Sequence, residues 1–360
     1  MKRTLAFGGL VATAGLLAAG LAAPAQAAGD VSSDPLAKSG VAALQVVKYW
    51  RGENYSNFVN ATPYNAETAV AAKHMSKGGP APDSKPGIVP AIGDEKKSTS
   101  KSKNVNLPKT TGKVFFRGSD NKPHWCSATS VQSAYHNMVA TAGHCVYDTE
   151  SNKATLDYWV FVPGYYQGKT PWGIYVGKTA YTHYDYDVYE DGDRDYAFVT
   201  VYNGVQVTGW DRVKRQLILK DTGRLGDNVG GQGIAYNQKI GQPVFVFGYP
   251  SGTHPDGNQA FTGKTLKWTY GKTFAAKAPA IKGEELQAVK SSFTGEGALG
   301  SSWLLKYNNT RRLGYLNGVT IGVSDTDGNN RYDTSISPYF DGELYGVYSA
   351  AKNNWSGSLV

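Results

Sequence analysis

The sequence predicts an all-β domain over residues 110–360. Three observations carry this. Short runs of β-branched and aromatic residues recur: Lys113-Val114-Phe115-Phe116, Tyr158-Trp159-Val160-Phe161-Val162, Tyr196-Ala197-Phe198-Val199-Thr200-Val201 and Val244-Phe245-Val246-Phe247-Gly248. Gly, Asn and Asp turns separate them. Long segments with a 3.6-residue period are missing, and that spacing suits a sandwich or barrel. The exception is the end of the chain. There Tyr339, Phe340, Leu344, Tyr345 and Tyr348 recur at helical spacing, which predicts a short closing helix after Pro338. A segment of this length suffices for one hydrophobic core.

The N-terminus reads as an export signal. Lys2 and Arg3 precede an apolar stretch from Leu5 to about Ala23, and Ala25-Gln26-Ala27 is a small-x-small cleavage site. Residues 1–27 are thus expected to be a signal peptide and the protein to be secreted. The competing reading is a membrane anchor. No later stretch is long and apolar enough to span a bilayer. Two cysteines, Cys126 and Cys145, allow at most one disulfide. Both lie beside strand-like runs, so a bridge on the scale of a hairpin is expected, with two unpaired thiols the other possibility.

The net charge of +8 is concentrated. Residues 73–109 hold eight Lys against Asp83, Asp94 and Glu95, and residues 110–360 are nearly neutral. The basicity therefore gives no argument for nucleic-acid binding by the folded domain. A basic tether could contact anionic cell-wall polymer or a membrane surface, against the plainer reading of a solvated linker. Residues 28–72 are mildly apolar and suggest one short helix or strand around Val41–Trp50 but no core. Residues 73–109, with Lys96-Lys97-Ser98-Thr99-Ser100-Lys101-Ser102-Lys103, have the composition of a disordered segment. The whole of 28–109 is expected to be a largely disordered pro-region or basic flexible linker.

The chemistry gathers around one histidine. A strand opening Cys126-Ser127-Ala128-Thr129 and another through Asn137-Met138-Val139-Ala140 lead into Thr141-Ala142-Gly143-His144-Cys145. This pairing resembles the trypsin-like serine proteases, most of all secreted bacterial members with a pro-region, over about residues 110–350. The resemblance implies two six-stranded antiparallel Greek-key barrels with a short C-terminal helix. It implies a Cys126–Cys145 disulfide pinning the histidine turn, and His144 as general base. Arg194-Asp195-Tyr196-Ala197-Phe198-Val199 resembles the family's D-x-A-hydrophobic-V segment, so Asp195 is the implied partner of the imidazole. Gly248-Tyr249-Pro250 is a supporting match. Asp185, Asp187, Asp191 and Asp193 read as a solvated acidic loop.

The third element departs from the family. Its pattern is G-x-S-G-G-P, often followed by Trp-Leu, and here the chain reads Gly297-Ala298-Leu299-Gly300-Ser301-Ser302-Trp303-Leu304. Trp303-Leu304 fixes the register and puts Leu299 in the nucleophile slot. Leucine cannot attack a carbonyl, and removing a triad nucleophile costs about 10⁶-fold in kcat in a related system. The amides of Gly297 and Leu299 remain as an implied oxyanion hole, since backbone groups survive side-chain replacement. Asp325–Asp333 alternates Asp and Asn but departs from the EF-hand pattern, so a turn-rich surface loop is expected rather than a calcium site. Neither a metal nor a cofactor is called for. Three functions follow. One is a secreted, monomeric pseudoprotease that binds a peptide, protein or polymer without cutting it. Another is a live endopeptidase that uses a shifted serine, Ser302 or Ser301, with His144 and Asp195. The last is a structural surface protein held by its basic segment.

Overall fold

The computed structural model describes residues 30–65, 69–75, 79–94, 104–151 and 153–360. The expected signal peptide and the lysine run 96–103 lie outside the described residues.

Six strands close a first barrel: Thr111–Arg117, Pro123–Val131, Met138–Thr141, Asp157–Pro163, Tyr175–His183 and Ala197–Val201. Tyr175–His183 completes the circle by pairing with both Ala197–Val201 and Asp157–Pro163. Alternation along each strand sorts the side chains. Val114 and Phe116 enter the main core, whereas Phe115 joins a second apolar cluster on the other face. The second half of the domain is a pair of curled antiparallel sheets. One is built around Pro243–Gly248, Lys267–Lys272, Ser302–Asn308 and Leu313–Val319. The other holds Phe274–Ala278, Gly283–Lys290, Gly322–Ser324 and Thr334–Pro338. The predicted closing helix is Gly342–Ala351. The Asp341 carboxylate caps it by accepting from the amides of Glu343 (3.0 Å) and Leu344 (3.1 Å). Leu344, Val347, Tyr348 and Ala351 form its buried stripe.

The segment before the barrels differs from the loosely draped linker that its composition suggests. Val31–Pro35 adds to the edge of Tyr175–His183 as an antiparallel strand. Gly40–Asn60 is a 21-residue helix, capped by the Ser39 hydroxyl. Its buried stripe is Ala43, Val46, Val47 and Trp50, at positions i, i+3, i+4 and i+7. Trp50 donates its indole N–H to the Tyr158 carbonyl (2.6 Å) and stacks on Phe58 with centroids 4.8 Å apart. The reason lies in the barrel. Its strands are apolar on both faces, so Phe115, Val160, Val162 and Val176 point outward and need a cover, which this helix supplies. Beyond it, Lys73–His74 pairs with Phe274–Ala278, and Gly87–Val89 pairs with Gly233–Tyr236. The stretch from Asp30 to Asp94 is therefore, where described, an outer wrapping of both halves.

Candidate active site

The strand Met138–Thr141 delivers the histidine turn. A 3₁₀ turn, Gly143–Cys145, follows it directly. Cys145 is bridged to Cys126 with Cα atoms 6.2 Å apart, and the Trp159 indole donates to the Cys145 carbonyl at 3.0 Å. Asp195 ends another 3₁₀ turn, Gly192–Arg194, just before Ala197–Val201. That strand pairs with the histidine strand in the register Ala197↔Thr141, which sets the two turns side by side. Asp195 Oδ1 accepts the backbone N–H of His144 at 3.0 Å, and Oδ2 lies 2.5 Å from His144 Nδ1. Against a carboxylate the ring nitrogen is the donor. A Cβ at position 143 would come within 2.9 Å of Asp195 Oδ1 and 2.5 Å of the Tyr186 ring, so only glycine allows this approach. Both residues of the pair are buried.

The loop Gly297–Gly300 lies beside the histidine strand, where a Cβ at Gly300 would fall 2.2 Å from Thr141 Oγ1, and is a tight turn with φ of +71° at Gly297 and +78° at Gly300, both left-handed. Its backbone is held on several sides. Ser127 donates its hydroxyl to the Gly297 carbonyl (2.8 Å) and its amide to the Leu299 carbonyl (2.8 Å). The Gly300 amide donates to the Thr320 carbonyl at 2.7 Å. Leu299 is fully buried in the main apolar core. Ser301 is also fully buried, and a Cβ at Gly248 would fall 1.8 Å from its hydroxyl oxygen. Ser302 begins a strand paired on both sides, with Phe247 and with Val319, and its hydroxyl lies 3.5 Å from that of Thr111.

Sequence reading missed a contributor from the wrapping segment. Thr62–Pro63 pairs in parallel with His124–Trp125, and the Tyr64 amide donates to the Trp125 carbonyl at 2.9 Å. The Tyr64 carbonyl accepts from the Gly297 amide across 3.5 Å, and the Tyr64 ring lies 6.5 Å from that of His144. Further along, Ala69 forms a parallel bridge with Val323, and the Val70 amide donates to the Val323 carbonyl at 2.9 Å. No local signal marks these residues, because their partners are far away in the chain.

Two further placements were not legible. Lys113 is buried, and its ammonium lies 3.1 Å from the Trp125 ring centroid and 4.5 Å from that of Tyr165. Burial pushes its amine well below the usual lysine range. Asp193, expected on a solvated loop, is instead buried and accepts from the amides of Glu284 (2.9 Å) and Glu285 (2.7 Å). The 325–333 loop ties its carboxylates to itself. Asp325 accepts from the Gly328 and Asn330 amides, and Asp333 from Thr326 and Lys290. Among the described residues no acidic, histidine or cysteine group has the clustering a metal ion requires.

A closed first barrel, a curled second half and one C-terminal helix are the trypsin-like serine protease fold. The chain is similar to proteases of that family in two solved structures that it spans almost completely. One is the protease Anisep from Arthrobacter nicotinovorans, with 26% identity and a TM-score of 0.54 over 69% of this chain and 97% of that one. The other is the thermostable serine protease AL20 from an extremophilic microorganism, with 26% identity and a TM-score of 0.53 over 68% and 97%. No family model and no curated protein matches the chain. Among the described residues no helix is long and apolar enough to cross a membrane.

Proposed function

We propose that this protein is a secreted trypsin-like serine protease homologue that binds an extended peptide or protein segment without hydrolysing it. Leu299 in the nucleophile slot carries the reading. The His144–Asp195 pair is assembled, which supports a general-base role inherited from a catalytic scaffold. The nucleophile it would serve is replaced by an alkyl chain buried in the core. The Gly297 and Leu299 amides would have formed the oxyanion hole. Export is supported by the leader-like N-terminus and by the disulfide, which suits an oxidising compartment.

The alternative, a shifted serine, finds little support. Ser302 is held by ladder bonds on both sides with its hydroxyl toward Thr111, and Ser301 is enclosed between Gly248 and Ser127. Presenting either to His144 would break that pairing. The test uses a fluorophosphonate probe on full-length chains carrying Tyr64→Ala, so that the Tyr64 ring does not decide access. The expected result is no labelling with Leu299 in place and covalent labelling when Leu299→Ser is added. Labelling with Leu299 in place that Ser302→Ala or Ser301→Ala abolishes would establish the shifted serine instead.

A further inference from the structure

We propose that residues 62–65 and 69–72 are a resident ligand of the cleft, and that the cleft accepts in trans an extended peptide bearing a proline–aromatic pair, which displaces them. This rests on the reading that the cleft binds peptides, and it names the ligand class and the control of access.

The argument starts from an unpaired edge. On one side, Pro123–Thr129 is paired residue by residue with Thr111–Arg117. On its other side Met138–Thr141 reaches only Thr129–Val131, leaving the backbone around His124–Trp125 open. Exposed edges of this kind recruit an extended strand. Thr62–Pro63 fills it, and Tyr64 closes the pairing through its amide. Proline is tolerated because this is an edge. The Thr62 hydroxyl lies 2.9 Å from His124 Nδ1.

Tyr64 reaches two parts of the candidate site, the His144 ring and the Gly297 amide. The Tyr64 carbonyl faces the Gly297 amide, where an acyl oxygen would be held, and its ring packs edge-on to Phe116 with centroids 5.1 Å apart. Tyr64 is only 4% exposed, so its ring fills a cavity and does not merely lie over one. The second anchor, Val70 on Val323, lies on the strand Gly322–Ser324 of the other half of the domain. The two anchors thus bracket the turn Gly297–Gly300 from opposite halves. Both pairings are parallel, Thr62–Pro63 with His124–Trp125 of the first barrel and Ala69 with Val323 of the second half.

Tethering makes this occupancy strong. The helix Gly40–Asn60 holds the segment upstream and Lys73–His74 holds it downstream, so it competes as an intramolecular ligand at an effective concentration on the order of millimolar. A free peptide at micromolar concentration cannot displace it unless the anchors are weakened. Because Tyr64 supplies the largest buried group, a competing ligand needs an aromatic side chain at that point.

The test uses the full-length chain and a fluorescein-labelled peptide with the sequence of residues 60–73, with a second peptide carrying alanine in place of the tyrosine. Binding is read by anisotropy for wild type, Tyr64→Ala and Val70→Asp, each checked for folding by circular dichroism. The expected result is at least tenfold tighter binding of the tyrosine peptide by either folded variant than by wild type, with the alanine peptide binding at least tenfold more weakly. Amide exchange on wild type supplies a readout that needs no variant: tyrosine peptide raised to about ten millimolar, above the effective concentration of the tethered segment, accelerates exchange at the Tyr64 and Val70 amides. Variants that bind no better than wild type, equal binding of both peptides, or unchanged exchange would each overturn the proposal. Failure of Leu299→Ser to gain labelling leaves it standing, since none of these measurements involves position 299.

Discussion

Asp195 grips His144 at two points, the backbone amide at 3.0 Å and ring Nδ1 at 2.5 Å. The double contact follows from strand register, because Ala197 pairs with Thr141 and carries the two adjoining turns together. It also means that Asp195 shapes the histidine turn itself, and not only the ring. Asp195→Ala leaves a buried amide and ring nitrogen without their acceptor, and each buried donor left unsatisfied costs about 1–3 kcal/mol. Asp195→Asn retains an oxygen for the amide and is expected to cost less. Urea denaturation of the two variants checks this, and equal losses would show that the backbone contact contributes nothing.

The Cys126–Cys145 bridge should matter in the same region. It closes a loop with a sequence separation of 19, for which chain entropy suggests roughly 3 kcal/mol. The double substitution Cys126→Ser with Cys145→Ser is expected to lower stability by about that amount and to raise amide exchange most in Gly143–Cys145. A uniform rise in exchange across the domain would point to a global effect of the bridge and not to pinning of the turn.

The helix Gly40–Asn60 belongs to the folded unit. Trp50→Ala removes a fully buried indole and its bond to Tyr158, and substitutions of this kind cost about 3–5 kcal/mol. Val41, on the opposite side and 70% exposed, is the control, with Val41→Ser expected within about 0.5 kcal/mol of wild type. Thermal melts of both variants decide it. A Trp50→Ala melt matching wild type would mean that the helix is an independent appendage.

What the sequence made legible was local. The strands around Phe115, Val160, Phe198 and Phe247 announce themselves by short runs of β-branched and aromatic residues between turn residues, and the structure places strands there. The histidine turn and Asp195 were legible because each adjoins an apolar strand of its own. Trp50 and Tyr64 were not, since their significance lies in surfaces completed by residues far along the chain, Phe115 and Tyr158 for one and Trp125 and Gly297 for the other. Composition marked a helix or strand around Val41–Trp50, where the helix Gly40–Asn60 lies, but not the pairings of Thr62–Pro63, Lys73–His74 and Gly87–Val89, which are short and widely spaced. Lys113 and Asp193 show the same limit. A charged residue within an acidic or strand-like run reads as solvated until the elements that bury it are known.

Asp193 and Asp341 give the stability an unusual pH dependence. Burial raises both carboxyls to about 6, and for Asp193 the neighbouring Asp191 adds to the effect while the Glu284 and Glu285 amides and Arg194 oppose it. Raised folded values mean that the folded protein binds these protons more tightly than the unfolded chain does. Their contribution is therefore fully present below the ordinary carboxyl range and is lost as pH rises through about 6. Asp333 acts in the opposite sense. Despite partial burial, its bonds to Lys290, Thr326 and Thr334 hold it down at about 2, so its stabilisation is lost only as the pH falls toward that value. The windows do not overlap. Between about pH 4 and 6 each raised carboxyl contributes a slope of at most about 1.4 kcal/mol per pH unit. Asp193→Asn keeps the side-chain size but cannot titrate. The difference in urea-unfolding free energy between wild type and Asp193→Asn is expected to shift in favour of wild type as pH is lowered from 7 to 4.5. A difference that stays constant over that range would show that Asp193 titrates alike in the folded and unfolded chain, contrary to its burial.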